Sequence, residues 1–314
     1  MQKSFIFPGQ GSQVVGMCKE FYDNFDVVKQ VFDEVNTALH KDLKTIMFEG
    51  PENVLTDTEN AQPAIMTASI AILKVLEKET GKKINELCNV VAGHSLGEYS
   101  ALCASNVFSI SDTAKLLAIR GKAFADAGKK SQGGMVALVG ATIEQAEEVC
   151  EKARINGEVL QVANDNTNGQ VVISGNIASI DKSIEVATEM KIKRALKLNV
   201  SGAFHSELMS PAIEPMEEIL SNVFAKEPDT KIIANYTANF ENQSEIRGNL
   251  LKQITNRVRW RETMLKMEQE GIEMLVEVGT SKVLTGMVLK TCPNIKTFTI
   301  NSIENLNNFI NEIK

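Results

Sequence analysis

The sequence has 314 residues, 43% hydrophobic and 23% charged, with a net charge of −7 and a pI near 5.3. That composition supplies a buried core, for one large domain with an insert or for two domains, and argues against long disorder. The acidity and an aromatic share of only 5% argue against a nucleic-acid binder, which needs basic surface and stacking rings.

The first residues, Met1–Ser12, carry one Lys and a short apolar run at Phe5–Phe7, less than a secretory signal needs. The apolar stretch Ala64–Leu76 is interrupted by Lys74 and is too short to span a bilayer. Cys18, Cys88, Cys103, Cys150 and Cys292 are odd in number and form no CxxC pair, which favours reduced thiols in a cytoplasm over disulfides or a zinc site.

A first strand is expected at Ser4–Phe7, stopped by Pro8-Gly9, with helices at Ser12–Tyr22 and Asp26–Leu39. A helix from Pro63 to about Thr80 follows, stopped by Gly81. Val90–His94 reads as a short buried strand and Leu96–Ala104 as a helix. Ser111 caps a helix through Ala127, ended by Gly128. The next elements are strand Met135–Val139, helix Ile143–Ala153, strands Val159–Ala163 and Gln170–Ser174, helix Ile177–Met190 and strand Lys193–Leu198. Their βαββαβ order is that of a ferredoxin-like unit. Asn164–Gln170 reads as the turn between its two central strands. Beyond it come helix Glu207–Phe224, strand Lys231–Ala234, helices Ser244–Asn256 and Arg261–Glu270, strand Met274–Val278, a helix from Ser281 and strand Thr297–Ile300. The fold class is therefore α/β. A large domain, residues 1–127 and 199–314, carries a mostly parallel covered sheet, and residues 128–198 form an inserted small ferredoxin-like domain.

Gly93-His94-Ser95-Leu96-Gly97 has the form G-x-S-x-G between a buried strand and a helix, the setting of a nucleophile elbow. The glycines allow a tight turn that projects the Ser95 side chain. The free N–H groups of the following helix, Leu96 among them, favour a developing negative charge. An ordinary capped strand-to-helix turn is the bland alternative.

A serine needs a base, and only three histidines are present. His40 lies in a polar stretch and reads as solvated. His94, next to Ser95, points to the opposite face if the strand continues, and packs behind the elbow. That leaves His205, in a loop just before a helix. Arg120 stands on a nearly all-apolar helix, where a guanidinium needs an anion: a bound carboxylate, or one of the chain's 40 acidic residues. No His/Cys spacing fits a metal. The turn after the first strand lacks the Lys-Ser/Thr ending of a phosphate cradle.

Gly93-His94-Ser95-Leu96-Gly97-Glu98-Tyr99 and Phe7-Pro8-Gly9-Gln10-Gly11-Ser12-Gln13 together resemble the hallmarks of malonyl-CoA:acyl-carrier-protein transacylases and of the acyltransferase domains of fatty-acid and polyketide synthases. The resemblance extends along essentially the whole chain. It implies Ser95 as nucleophile and His205 as base, oriented by a main-chain carbonyl, that of Gln253 by position, rather than by an acidic residue. It implies Arg120 as the group holding the malonyl carboxylate, and Gln10 N–H beside Leu96 N–H in the oxyanion hole. Asn166 is implied to face the cleft. Ala203-Phe204-His205 looks like the malonyl-type version of the base motif. The implied partners are malonyl-CoA, as a thioester substrate, and acyl carrier protein, with no cofactor, nucleic acid or membrane. A trans-acting polyketide acyltransferase is the alternative. A serine hydrolase of the α/β-hydrolase type places its His late, and no His follows residue 205 here. A non-enzymatic carrier-protein-binding module would have no use for Ser95, His205 and Arg120 together. Two basic clusters are candidates for meeting an acidic carrier: Lys191, Lys193, Arg194 and Lys197, and Arg257, Arg259 and Arg261.

Overall fold

The computed structural model describes every residue from Met1 to Lys314. Nine strands follow one another along the chain: β1 (Lys3–Phe7), β2 (Val90–Gly93), β3 (Gly133–Val139), β4 (Leu160–Thr167), β5 (Gln170–Asn176), β6 (Arg194–Lys197), β7 (Lys231–Ile232), β8 (Met274–Val278) and β9 (Lys296–Ile300). They form two sheets. One is five-stranded and parallel, in the order β7-β2-β1-β8-β9; the other is four-stranded and antiparallel, in the order β4-β5-β3-β6.

Burial along β1 shows why the first sheet is parallel and covered on both faces. Phe5 and Phe7 point into the main core, with Ile65, Ile72 and Phe309. Ile6, between them, points the other way into a second cluster with Trp260 and Met264. Side chains alternate along a strand, so β1 needs an apolar cover on each side, and helices supply both.

This sheet brings the two glycine-rich motifs together. Phe7 pairs with Gly93 in the parallel β1–β2 ladder, so the turns that follow each strand leave the sheet side by side. A Cβ on Gly97 would sit 2.2 Å from the Phe7 carbonyl oxygen, and one on Gly93 1.9 Å from the Gly97 oxygen. Only glycine permits that approach.

Several elements depart from the sequence reading for identifiable reasons. The segment expected as helix Ser12–Tyr22 is helical only over Lys19–Asn24, because Gly16 and Cys18 take left-handed conformations. The helix expected from Pro63 begins at Thr58. Its first turns bury the polar Asn60 and Gln62, so apolar periodicity does not reveal them. The helix Ile110–Ser131 is capped by Ser109, which accepts from Asp112 N–H, and it runs through Gly128. Gly128 is a packing glycine, whose Cβ would meet Ser201 O at 2.1 Å, and it stops nothing. Asn164–Thr167 is strand, so the turn between β4 and β5 is confined to Asn168-Gly169. Short helices at Leu43–Glu49, Glu52–Thr56 and Ile84–Leu87, and the C-terminal helix Ile303–Glu312, were not anticipated. The last has Ile303, Leu306, Phe309 and Ile310 at helical spacing, a signal that the sequence carried in full.

The outer edge of β4 is occupied by Val258, which donates to Ala163 O and accepts from Asp165 N–H. Beside it, buried Asp165 receives a fork from Arg261, with Nε 3.0 Å from Oδ1 and Nη2 2.9 Å from Oδ2. Arg257 and Arg259 are likewise paired, with Glu147 and Glu262, so each arginine of this second basic cluster has an acidic neighbour. No helix is long and apolar enough to cross a membrane.

Asp165 is the buried partner, while the Arg261 side chain reaches solvent. Arg261→Leu leaves a buried carboxyl without its donor and is expected to lower the urea midpoint by the equivalent of about 1–3 kcal/mol. Asp165→Ala leaves a guanidinium that water can solvate, and costs less. Equal midpoints for wild type and both variants contradict the fastening role.

Candidate active site

The site lies at the carboxyl ends of β1 and β2, where open parallel sheets leave a crevice. Ser95 adopts φ 54° and ψ −109°, a strained conformation for a residue with a Cβ, and the helix Leu96–Ala104 starts immediately after it. Its Oγ lies 2.8 Å from His205 Nε2. His205 also has a positive φ, 57°, in the loop that precedes the 3-10 helix Glu207–Ala212.

His205 Nδ1 lies 2.8 Å from the main-chain oxygen of Gln253. A carbonyl only accepts, so Nδ1 carries the proton and Nε2 presents its lone pair to Ser95. Gln253 sits two residues before the end of the helix Gln243–Thr255, where carbonyls have no partner within the helix. No carboxylate stands behind the imidazole.

The Gln253 side chain ties the rest together. Its Nε2 donates to Ser95 O (3.0 Å) and to Glu98 Oε2 (2.6 Å), while its Oε1 accepts from Arg120 Nη2 (2.9 Å). Arg120 is buried, and its plane lies over the Phe124 ring, 4.2 Å from the centroid. Its Nη1 donates to Gln62 (2.7 Å) and its Nη2 reaches Ser95 Oγ at 3.1 Å, while Nε has no partner. All these partners are neutral. The internal salt bridge that sequence left open is not formed.

Burial, and after it the Arg120 charge, holds the His205 pKa down, from 6.5 to about 3. Burial and the neighbouring Glu241 hold the Glu98 carboxyl well above the usual carboxylate range. Asn235, three residues beyond β7, accepts from Ser95 N–H, and Glu98, three residues after Ser95, accepts from Asn235 N–H and Gln253 Nε2. Sequence reading passed over both, and Gln62 as well. The spacing of Glu98 and the carboxyl-end position of Asn235 were the available signals; Gln62 had none.

Gln10, Ser95, Arg120, Asn164, Phe204 and His205 line one cavity of about 220 Å³. Larger grooves of about 430 and 630 Å³ lie elsewhere and contain none of the three reactive groups. The main-chain N–H groups of Gln10 and Leu96 have no hydrogen-bond partner. Asn166 is buried and holds His94 Nε2 at 2.8 Å, whereas Asn164 lines the cavity. His94 was expected to pack behind the elbow. Its ring does pack edge-on to Trp260, but it also lines the Ser95 cavity. β2 ends at Gly93, so strand alternation does not reach residue 94. His40 is exposed and remote, at the end of the helix Asp26–Leu39.

A strand-turn-helix serine, a histidine and an unpaired buried arginine on a parallel sheet define a nucleophilic acyl-transfer site. The chain belongs to the acyl transferase domain family, which it matches over residues 4–310. It is 39% identical over 312 residues to the malonyl CoA-acyl carrier protein transacylase of Bacillus subtilis, covering 99% of this chain and 97% of that one. The crystal structure of acyl-carrier-protein S-malonyltransferase from Bartonella henselae superposes with a TM-score of 0.96 at 43% identity, covering 100% of this chain and 99% of the other. A malonyl-transacylase solved in complex with a type II polyketide acyl-carrier protein superposes at 0.95 with 32% identity, over 99% of this chain and 100% of the other.

A His whose folded pKa is depressed contributes stability above its unfolded value, which is lost as pH falls from 6.5 toward about 3. In an NMR titration the His205 ring is expected to stay neutral well below pH 6.5, and Arg120→Ala to move its titration upward. A wild-type ring that titrates at 6.5, unmoved by the substitution, contradicts this electrostatic account.

Proposed function

We propose that the protein transfers the malonyl group of malonyl-CoA to the phosphopantetheine thiol of an acyl carrier protein, through a malonyl ester on Ser95. The observation that carries this reading is the single oxygen, Ser95 Oγ, placed between the neutral Nε2 of His205 and an Arg120 that has no anionic partner.

Arg120 holds the malonyl carboxylate and thereby sets the thioester carbon against Ser95. Ser95 Oγ attacks as His205 Nε2 takes its proton. The carbonyl oxygen becomes an oxyanion, facing the free N–H groups of Gln10 and Leu96. Collapse breaks the C–S bond, and the imidazolium returns its proton to the departing coenzyme A sulfur. The carrier thiol then attacks the ester while His205 takes the thiol proton. Ser95 leaves and recovers a proton from His205. The exchange is ping-pong and involves no net redox change. The malonyl carboxylate offsets the Arg120 charge that depresses His205, so the substrate raises the basicity of its own base.

Residues 128–198 read as an inserted ferredoxin-like domain, supported by the sheet order β4-β5-β3-β6 and by a first strand beginning at Gly133. Asn166 acts in this reading by holding His94 at the cavity wall. Five buried free thiols suit a reducing cytoplasm. In this reading the malonyl carrier feeds fatty-acid synthesis. The likeness to a polyketide carrier's transacylase supports the trans-acting polyketide role as a second reading. The carrier meets the exposed Lys191, Lys193 and Arg194, which have no ion-pair partner; β6 leads from them to Asn199 and Val200 at the cavity. Lys197 pairs with Asp181.

The test measures each half-reaction with a panel of acyl-CoAs. Wild type should pass malonyl to the carrier far faster than to water. Arg120→Ala should cut malonyl acylation by at least about 10²-fold, with acetyl acylation changed far less, since a desolvated charge pair is worth several kcal/mol. Lys193→Glu with Arg194→Glu should slow only the carrier half-reaction, and less so at high salt. Equal losses for malonyl and acetyl in Arg120→Ala overturn the carboxylate role.

A further inference from the structure

Ser95 stays in its strained conformation only if its surroundings over-determine it. The main-chain ladder between β2 and β7 cannot do this, because its last regular pair is Val91 with Ile232. Beyond that pair a side chain takes over. Asn235 Nδ2 donates to Gly93 O at 2.7 Å, and Asn235 Oδ1 accepts from Ser95 N–H at 2.7 Å. A strand residue in a parallel ladder makes this same pair of bonds, one to the carbonyl before and one to the N–H after the residue it faces. The Asn235 amide therefore acts as a substitute peptide that carries the ladder one rung further, up to the nucleophile. Both partners fix its orientation, since Gly93 O needs a donor and Ser95 N–H an acceptor.

Asn235 is itself held. Its main-chain N–H donates to Glu98 Oε2 at 3.2 Å, and the same oxygen accepts from Gln253 Nε2. Glu98 is fully buried, and its Oε1 has no donor, nor has Oε1 of the adjacent buried Glu241. The missing donors agree in direction with the Glu98 carboxyl, held well above the usual carboxylate range, and with Glu241, pushed up to about 7. Through its Oε2, Glu98 joins the serine side of the site (Asn235) to the base side (Gln253).

We propose that Asn235 is a positioning residue that holds the Ser95 main chain in its reactive turn, and that Glu98 fixes Asn235 and Gln253 relative to each other. The same restraint aims the Leu96 N–H, one peptide further on. This rests on the reading of Ser95 as nucleophile.

The test compares wild type, Asn235→Ala, Asn235→Asp, Glu98→Leu and Glu98→Gln. For each it measures the rate of inactivation by a sulfonyl fluoride, the kcat and KM for malonyl transfer, and the thermal midpoint. Misplacing a nucleophile by about 1 Å costs on the order of 10²-fold. Asn235→Ala should lose about that factor in kcat and in sulfonylation, with the KM for malonyl-CoA within about twofold because Arg120 is untouched. Asn235→Asp is nearly isosteric, so it keeps the packing, but it offers no donor to Gly93 O and should also lose activity. Glu98→Gln should recover most of what Glu98→Leu loses. Asn235→Ala and Asn235→Asp proteins that are sulfonylated and turn over at wild-type rates, whatever their thermal midpoints, overturn the proposal. The sulfonyl fluoride needs no acyl donor. A wild type that reacts with it but accepts no malonyl group therefore overturns the malonyl reading alone, and the Asn235 comparison still decides the positioning role.

Discussion

Arg120 brings a full positive charge into a place where each group touching it is neutral: Gln62, Gln253, the Ser95 hydroxyl and the ring of Phe124. An uncompensated buried cation is expensive, and the surroundings show how the cost is limited and used. The Gln62 and Gln253 amides turn their oxygens toward it. The imidazole of His205 is kept neutral beside it. The nearby Glu98 could have neutralised it, but burial and Glu241 hold that carboxyl well above the usual carboxylate range. The charge is thus left without an anion of the protein's own, which in the proposed reaction the incoming carboxylate supplies, while one Nη reaches the Ser95 oxygen.

A site of this kind needs a rigid frame, because three groups from distant parts of the chain must meet within about 3 Å. The frame is the parallel sheet. Pairing of Phe7 with Gly93 sets the Gln10 turn beside the Ser95 turn. The helix Gln243–Thr255 ends where the Gln253 carbonyl is free to orient His205. The second sheet closes the cavity through β4, which is fastened at its outer edge by Val258 and by the Asp165–Arg261 pair. Gln161, also on β4, bonds Thr255 O at 3.1 Å and the N–H of Glu207 at 3.1 Å, so that strand also braces the loop carrying His205.

Sequence revealed the parts of this arrangement that depend on local pattern. The strand-turn-helix around Ser95, the alternation of short strands with helices, and the helices Asp26–Leu39 and Leu96–Ala104 all follow from spacing and from glycine placement. His205 emerged because only three histidines compete, and Arg120 because a guanidinium among apolar residues demands a reason. Sequence hid what depends on three-dimensional pairing. Buried polar residues such as Asn60 and Gln62 disguised the start of a helix. Asn164–Thr167 has turn composition but is held as strand by Val258, a residue far along the chain. Three arginines that read as free positive charge in the sequence are paired with Glu147, Glu262 and Asp165. Asn235 meets Ser95, and Glu98 meets Asn235 and Gln253, across more than a hundred residues of chain.

The central claim is that one oxygen, Ser95 Oγ, carries the acyl group between two thiols. Rapid mixing with malonyl-CoA, acid quenching and peptide mapping by mass spectrometry test it most directly. The account predicts a malonyl ester confined to the peptide containing Ser95, formed before any carrier is added and discharged when a phosphopantetheinylated carrier protein follows. A malonyl group found on any other residue, or transfer to the carrier with no acylated protein at any quench time, contradicts it.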